Sequence, residues 1–429
     1  MVRAPNRVQR CGLMRALRWT FVFGVLALVG CTALPRRDAP PTLFSSATPV
    51  GFPAEVRFLS TDRASVESRS TAALQRLRSS SKDGMVRALV LSGGGAGGAF
   101  GAGALVGLSR RQERPQYDVV TGVSAGALIA PFAFLGPEWD SQLTEAFTSG
   151  RGEQMSVRGL LTLPFGASRR SAALTALVDR YVTPELIRAV ASQAASGRLL
   201  WVATTDLDKE ETVIWDMGAI AQCGGEPARK LFRDVLVASA SIPGVFEPVL
   251  IRVQQGEKLY DEMHVDGNAS TSLFVAPVAA YFALLDQRSL DGARVYMLIN
   301  GQIIEAPETT PFKLGPIMAR TFAVALKHMS RSQIVAVDQF ADKYRMSVQS
   351  AYLPFDYPKY SSADFRASSM RPLFEYGARC AASGHLWTTM DETMATIATA
   401  APVPTRMPPV SEEVKCPLRG SQFAAAGGR

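Results

Sequence analysis

Histidine is scarce in this sequence, with three residues among 429, and cysteine is almost as rare, with five. After residue 31 the only cysteines are Cys223, Cys380 and Cys416, and their spacing matches no zinc-binding pattern. We therefore expect no metal centre. In an oxidising compartment Cys380 and Cys416 could pair and leave Cys223 free, although the sequence alone leaves that pairing open.

Positive charge is also limited once its distribution is considered. The formal net charge is +8, and five arginines lie in residues 1–30, which contain no acidic residue. The remaining excess of about three charges is spread over the rest of the chain. So small an excess does not predict nucleic-acid binding and favours at most a weak attraction to anionic membranes.

The apolar run Trp19–Val29 is too short to span a bilayer as a helix, but it is typical of the core of a secretory signal. It leads into the letters ALVGC, which resemble the bacterial lipobox, and that resemblance implies acylation of Cys31. Thr32 rather than aspartate follows, which the same resemblance associates with the outer membrane. We therefore expect a signal peptide at residues 1–30 and a bacterial envelope protein anchored to the membrane through Cys31. An ordinary signal peptide with a chance cysteine is the alternative.

The rest of the chain divides into segments that differ in composition and residue pattern. Residues 31–85 are rich in proline, serine, threonine and arginine, which indicates an N-terminal tether or extension. Over residues 86–301 strand and helix patterns alternate with glycine-rich turns, which predicts an α/β sheet with helices on both faces in three layers. Residues 302–400 are expected to form a helical C-terminal extension, and residues 401–429 a loose tail.

The first segment whose residues could take part in a reaction is Gly122-Val123-Ser124-Ala125-Gly126. It lies between an apolar strand and an alanine-rich helix. A serine at such a strand-to-helix turn is lifted off the sheet edge by a sharp bend, and Gly122 and Gly126 avoid Cβ clashes there. The N-terminus of the following helix adds partial positive charge. Ser124 is thus a candidate nucleophile, although a structural glycine–serine turn would look the same.

The second segment is the glycine run at residues 93–98, again between a strand and a helix. Successive glycines let several N–H groups converge on one anion, either a phosphate or a tetrahedral oxyanion. The run satisfies the dinucleotide pattern GxGxxG, with Asp118 about twenty residues on. A ribose-binding acid should end its strand, however, whereas Asp118 begins one. We therefore expect an oxyanion hole formed by the N–H groups of Gly93, Gly94 and Gly95.

The third segment is Asp266-Gly267-Asn268. A serine hydroxyl is a poor nucleophile at neutral pH unless a base removes its proton. A carboxylate can act as that base if it is close and partly desolvated. By itself, an aspartate before glycine is typical of an ordinary turn.

These three segments, in this order, resemble the patatin-like phospholipase family, which combines a glycine-rich oxyanion loop, a Gly-x-Ser-x-Gly elbow and an Asp-Gly turn. The resemblance also includes Ala238–Pro243 and covers residues 86–301. It implies a patatin-like sheet, a Ser124–Asp266 dyad, an acyl-enzyme intermediate and no cofactor. The implied substrates are phospholipids, lysophospholipids or related acyl esters.

Two positions depart from the family pattern. Gly97 stands where the family usually has arginine or lysine, so a positive charge near the oxyanion is missing. Asn268 replaces a small residue at the aspartate turn; asparagine tolerates a left-handed backbone, but its side chain could alter the mouth of the pocket.

Several other interpretations stay open. A Ser-Asp-His triad would need His328 or His385, which both lie in the helical C-terminal region, and His264 could modulate Asp266 from two residues away. The segment Thr204–Asp208 could line the cleft or be a polar loop. The rival functions are a general carboxylesterase and a catalytically silent lipoprotein that binds lipid or a partner, and the oligomeric state is open.

Overall fold

The computed structural model describes residues 36–40, 47–80, 83–157, 166–276, 290–305, 307–399 and 415–416. The predicted signal peptide, Cys31 and nearly all of the predicted tail lie outside these residues. Among the helices of the described part, none combines the length and the apolar character that crossing a membrane requires.

A mixed sheet of eleven strands with helices on both faces confirms the predicted three-layer α/β fold. The described strands are β1 (Thr48–Pro49), β2 (Arg57–Leu59), β3 (Arg87–Leu91), β4 (Val119–Val123), β5 (Leu199–Asp206), β6 (Glu211–Asp216), β7 (Val249–Gln255), β8 (Lys258–Asp266), β9 (Arg294–Gln302), β10 (Ser347–Leu353) and β11 (Thr388–Thr389). The described α-helices are α1 (Arg63–Ser80), α2 (Gly98–Arg110), α3 (Ala125–Leu135), α4 (Asp140–Thr148), α5 (Ala167–Tyr181), α6 (Pro184–Ala195), α7 (Met217–Cys223), α8 (Gly225–Ser239), α9 (Leu314–Lys343), α10 (Ala367–Ala382) and α11 (Met390–Ala398).

The strand order is β1-β7-β8-β5-β4-β3-β9-β10-β11, and β6 pairs with β5 and β2 beside this path. The central strands β5, β4, β3, β9 and β10 are parallel, whereas the β7–β8 hairpin joins β5 in antiparallel orientation. Parallel strands end at the same edge of a sheet. The glycine loop after β3 and the serine elbow after β4 therefore lie side by side, and the antiparallel β8 brings Asp266 opposite Thr204 near the end of β5.

Two apolar clusters cover the two faces of the sheet. Leu89 and Leu91 of β3 belong to one cluster, and Ala88 and Val90 belong to the other. Successive side chains of a strand point to opposite faces. Because both faces are covered by helices, the strand reads as a continuous apolar run rather than an alternating one.

The C-terminal region contains the predicted helices, α9 and α10, and also a strand that the sequence analysis did not foresee. This strand, β10, pairs in parallel with β9 and so extends the central sheet beyond residue 301. Helix α10 packs closely on α2, where a Cβ atom on Gly103 would lie 1.9 Å from the Phe374 carbonyl oxygen. A disulfide joins Cys380 to Cys416, which is the pairing left open above, and Cys223 is free and exposed.

Residues 47–80 fold against the same sheet. Strand β1 pairs with β7, strand β2 pairs with β6, and α1 follows them. The segment that the composition assigned to a tether or extension thus supplies two strands, one of which carries Arg57 into the interior, where its side chain is buried.

Candidate active site

Ser124 occupies a sharp turn between β4 and α3. Its backbone angles, φ 55° and ψ −124°, are unusual for a residue with a side chain and store strain that the surroundings must hold. The Ser124 N–H group donates to Ser239 Oγ at 3.0 Å, and the Ser239 hydroxyl donates to the Ala203 carbonyl at 2.7 Å. Ser239 thereby holds the elbow against β5, a role that its place in the Ala238–Pro243 segment did not reveal.

The two glycines of the elbow are required by close backbone contacts. A Cβ atom on Gly122 would lie 2.7 Å from the Gly126 carbonyl oxygen, and one on Gly126 would lie 2.4 Å from the Leu91 carbonyl oxygen. Neither position has room for a side chain, which is the physical reason expected from the sequence.

Asp266 lies directly against the serine. Ser124 Oγ donates a 2.6 Å hydrogen bond to Asp266 Oδ2, and the Asn268 N–H group donates a 2.8 Å bond to Asp266 Oδ1. Both side chains are almost fully buried, with Asp266 1% and Ser124 2% exposed. Gly267 lets the aspartate turn pack on β5, since a Cβ there would lie 2.6 Å from the Ala203 carbonyl oxygen.

Burial raises the pKa of Asp266 from its ordinary value to about 7, and the hydrogen bonds from Ser124 and Asn268 act in the opposite direction without cancelling the shift. No described cation contributes to this titration. Near neutral pH the carboxyl group can therefore exist in either protonation state, which is the condition that suits a general acid–base group.

The glycine loop offers fewer free N–H groups than the sequence predicts. The Gly93 N–H donates to the Ser272 carbonyl at 3.1 Å and so holds the loop in place. The N–H groups of Gly94 and Gly95 have no acceptor among the described residues, and Gly95 lines the same cavity as Ser124. Of the three predicted donors, Gly94 and Gly95 are thus available to an oxyanion, whereas Gly93 is engaged by a residue far along the chain.

The loop is pressed against residues that sequence reasoning missed. A Cβ on Gly94 would lie 2.0 Å from the Asn300 carbonyl oxygen, and one on Gly97 would lie 2.3 Å from the same atom and 2.7 Å from the Tyr360 hydroxyl. The position of the family's arginine or lysine therefore has no room for a side chain here. Asn300 further secures the loop by donating from its side-chain amide to the Ser92 carbonyl at 2.6 Å.

Ser124 and Gly95 open onto a cavity with about 860 Å³ of empty space, part of which is open solvent. Apart from Ser124 and Tyr181, its lining side chains are apolar. Most come from the helices around the elbow, but Phe365 and Met370 come from the C-terminal region. An apolar cavity of this kind suits a molecule with a long hydrocarbon group.

The histidine alternatives find no support in the geometry. His328 is exposed on α9, and His385 is half-buried and bonded to Ser383 at 3.2 Å. Asp266 accepts hydrogen bonds from the Ser124 hydroxyl and the Asn268 N–H group, and among the described residues no histidine is hydrogen-bonded to its carboxylate. The Ser-Asp-His arrangement is therefore not the one present.

His264 and the threonines of β5 form hydrogen bonds next to the aspartate turn. His264 Nδ1 lies 3.0 Å from Thr204 Oγ1, and His264 is fully buried. Thr205 Oγ1 donates to the Asp266 carbonyl at 3.0 Å and so fixes the turn. Within the segment Thr204–Asp208, Thr205 thus holds Asp266 in place.

Asp206, Glu262 and His264 bring ligand atoms close enough together to hold a metal ion. The cluster already contains positive charge, because the Lys209 ammonium group bonds both carboxylates and the Arg57 guanidinium group bonds Glu262. Burial would raise the pKa of Glu262, but the His264 hydrogen bond and the Arg57 charge lower it below its ordinary value. This is a neutralised ionic cluster rather than a candidate metal site.

The dinucleotide alternative fails on the position of Asp118. Its carboxylate accepts the Arg87 N–H at 2.8 Å, at the start of β3, whereas the glycine loop follows the end of that strand. Asp118 and the glycine loop therefore lie at opposite ends of β3, about 15 Å apart for a five-residue strand.

Residues 89–278 match the family model described as "Patatin-like phospholipase". Among solved structures, the fold is similar to VipD from Legionella pneumophila, with 12% identity over 70% of this chain and 67% of that chain, at a TM-score of 0.30. It is also similar to human GIVD cytosolic phospholipase A2, with 11% identity over 64% of this chain and a TM-score of 0.28. The matched part covers 51% of that human chain, about half its length. Comparison with curated proteins gave no match.

Proposed function

We propose that this chain, which contains a patatin-like phospholipase domain at residues 89–278, is a serine acyl hydrolase that cleaves lipid esters with Ser124 and Asp266. The family match supports a lipid ester hydrolase in general. The finer proposal is carried by one observation, the 2.6 Å hydrogen bond from Ser124 Oγ to a buried Asp266 at the mouth of an apolar cavity.

In the first half-reaction Ser124 Oγ attacks the ester carbonyl carbon while its proton passes to Asp266 Oδ2. The N–H groups of Gly94 and Gly95 donate to the oxyanion that forms, in a site where burial strengthens such bonds. When the tetrahedral intermediate collapses, the leaving alcohol takes the proton from Asp266. The acyl group remains on Ser124.

In the second half-reaction water attacks the acyl-enzyme. Asp266, again ionised, accepts a proton from this water, and the same oxyanion donors stabilise the second intermediate. Ser124 recovers its proton from Asp266 as the fatty acid departs. One carboxyl group thus serves as base and then acid in both halves, which its raised pKa of about 7 suits near neutral pH.

The cavity supports the proposed substrate class. Its apolar lining suits a fatty acyl chain, and because Ser124 is among the lining residues, an acyl chain bound there would bring its ester carbonyl close to the serine. We therefore favour a phospholipid, lysophospholipid or related acyl ester over the short esters of a general carboxylesterase. Anchoring of the protein to a bacterial envelope membrane through acylated Cys31 is part of this proposal and rests on the lipobox resemblance.

Hydrolysis of p-nitrophenyl esters of increasing chain length, together with a lysophospholipid, tests the proposal. The enzyme is residues 32–429, because removing residues 1–31 takes away none of the described structure. We expect preference for long chains, loss of activity in Ser124→Ala, and retained activity in His328→Ala and His385→Ala. Loss of activity in either histidine variant would favour the Ser-Asp-His triad instead. If folded wild-type protein hydrolysed no ester, a lipid-binding role would replace catalysis.

The anchor needs its own test. In a bacterial host fed an alkyne fatty acid, we expect the full chain to become labelled and Cys31→Ala to remain unlabelled. Equal labelling of both would place the acylation elsewhere.

A further inference from the structure

The N-terminal half of α9, together with the two residues that precede it, exposes an unusual amount of apolar surface. Six large hydrophobic residues within thirteen positions are exposed, and they include Phe312 at 99%, Leu314 at 77% and Met318 at 61%. The complete set is Phe312, Leu314, Ile317, Met318, Phe322 and Val324, called the α9 apolar face below. Soluble proteins rarely leave such a group uncovered unless it binds something.

This face is not the face by which α9 packs on the protein. The buried residues of α9 lie in its C-terminal half, at Ile334, Val337, Phe340 and Ala341. With 3.6 residues per turn, most of the exposed residues point away from the direction of the buried ones, whereas Phe322 shares the direction of Phe340, five turns further along. The C-terminal half of α9 thus packs on the sheet, and the N-terminal half presents apolar side chains to the outside.

Positive charge flanks the α9 apolar face. Lys313, Arg320 and Lys327 recur at intervals of seven residues and so lie along one side of the helix. Glu308 bonds Arg320 at 3.1 Å, and Glu305 bonds Lys327 at 2.5 Å. With Arg331 included, cations outnumber carboxylates four to two between residues 305 and 331.

This combination fits an anionic lipid surface. Apolar side chains beside cations are typical of helices that lie in the membrane interface, with the charges near the lipid headgroups. Pairing with a second copy of the chain would instead bring two cationic sides together, so self-association is less favourable.

One chain of hydrogen bonds links α9 to the glycine loop of the candidate active site. Gln333 Oε1 accepts the Ser272 N–H at 2.8 Å, and the Ser272 carbonyl accepts the Gly93 N–H at 3.1 Å. The α9 apolar face lies nearer the start of the same helix, with Phe322 eleven residues, or about 16 Å, before Gln333.

We propose that the α9 apolar face docks the protein on an anionic phospholipid bilayer, with its large side chains inserted at the boundary between headgroups and acyl chains. Docking brings the protein to membrane lipid independently of Cys31. The benefit to catalysis rests on the proposed function, but the docking itself does not require hydrolysis.

The test is vesicle flotation of residues 32–429 carrying Ser124→Ala, so that no lipid is hydrolysed. Vesicles contain phosphatidylcholine with or without phosphatidylglycerol. The double variant Met318→Ser with Phe322→Ser should lower binding to anionic vesicles by at least about tenfold. Lys313→Gln should lower it about fivefold and leave binding to pure phosphatidylcholine unchanged.

A matched control removes two exposed apolar side chains at the other side of the sheet, Leu207→Ser with Leu259→Ser. This control should bind vesicles like the parent protein. Unchanged binding of the Met318→Ser, Phe322→Ser variant would overturn the proposal. So would a wild-type dimer in solution that this variant abolishes, because that result would assign the face to a second copy.

The same variants with Ser124 intact separate docking from catalysis. On a soluble short-chain ester, the α9 variants should match the wild type, whereas on vesicle lipid they should lose activity in proportion to binding. Vesicle binding without hydrolysis of any ester would refute the proposed function and leave docking intact. Hydrolysis of soluble ester without vesicle binding would refute docking alone.

Discussion

Two buried carboxylates on strand β8 behave in opposite ways. Glu262 and Asp266 are four residues apart and 3% and 1% exposed, yet the pKa of Glu262 is lowered and that of Asp266 is raised to about 7. Burial acts on both in the same direction. The difference comes from their partners: Arg57, Lys209 and His264 surround Glu262.

Two carboxylates on one strand can thus differ in kind: Glu262 is a structural ion, and Asp266 has the surroundings that suit the base we propose it to be. A buried carboxylate with cations beside it stays ionised and cannot usefully accept a proton. Asp266 is bonded to a neutral hydroxyl and a main-chain N–H group, so its ionised form remains basic. The cations that reach Glu262 come from β2 and from the turn after β5, and none is described against Asp266.

The largest effect should follow from removing the base. We expect Asp266→Asn to lower kcat/KM for a p-nitrophenyl ester on the order of 10³- to 10⁴-fold, because an amide cannot take the proton of Ser124. Glu262→Gln, measured below its unfolding temperature, should keep most of the activity. A variant Asp266→Asn with more than about a tenth of wild-type activity would mean that another group is the base.

The next effect concerns Glu262, whose buried negative charge is balanced by Arg57 and Lys209. Arg57→Met should lower the free energy of unfolding by about 3 kcal/mol, because it leaves Glu262 buried with less positive charge around it. Urea denaturation at neutral pH measures this loss. Arg63→Met, which removes an exposed ion pair with Glu67, is the control and should change stability by less than about 1 kcal/mol. Equal losses would show that burial does not distinguish the two pairs.

Asp266 and Glu262 should make the free energy of unfolding depend on pH in opposite directions. Between the ordinary pKa of aspartate, 3.8, and about 7, folded Asp266 retains a proton that the unfolded chain releases, so stability falls as pH rises through this range. Asp266→Asn removes that fall. It should leave stability near pH 4 little changed and raise it at pH 8, by at most about 4 kcal/mol for three pKa units.

Glu262, with its lowered pKa, contributes stability at neutral pH that is lost as the solution is acidified. Urea titrations compare Asp266→Asn with wild type at pH 5 and pH 8, and Glu262→Gln with wild type at pH 5 and pH 3, because the contribution of Glu262 changes only below the ordinary glutamate pKa of 4.5. Changes of the same sign in both variants would contradict the contrast drawn here.

The smallest effect is on the rate profile of the wild type. Because only ionised Asp266 can act as base, kcat/KM should rise about tenfold per pH unit below pH 7 and level off above it. Initial rates on an ester whose hydrolysis does not titrate in this range give the profile. An inflection near pH 4 would mean that burial does not raise the pKa of Asp266 above the ordinary aspartate value of 3.8.

Much of the fold could be predicted because its signals are local. The apolar run of β3 and β4, the glycines around Ser124 and the Asp266 turn each reflect a backbone need visible within a few residues. A residue with positive φ flanked by glycines and an apolar strand is a local requirement, so the elbow could be recognised without its neighbours.

Other features had no local signal. Strand β10 lies within a region that was predicted to be helical, and it pairs with β9, whose residues are about fifty positions earlier in the chain. The approach of Tyr360 to Gly97 depends on how the C-terminal region folds back. The engagement of Gly93 by Ser272 likewise joins residues that are distant in sequence.

By itself the sequence determined which residues could react, because a nucleophile, a base and an anion-binding loop need particular residue types in particular turns. Only the tertiary structure decided how they behave. It excluded cations from Asp266 while supplying them to Glu262, left Gly94 and Gly95 free while engaging Gly93, and turned one apolar face of α9 outward. Each of these depends on which groups from distant parts of the chain share a low-dielectric interior, and hydrogen bonding, charge and burial are set by those neighbours rather than by residue type.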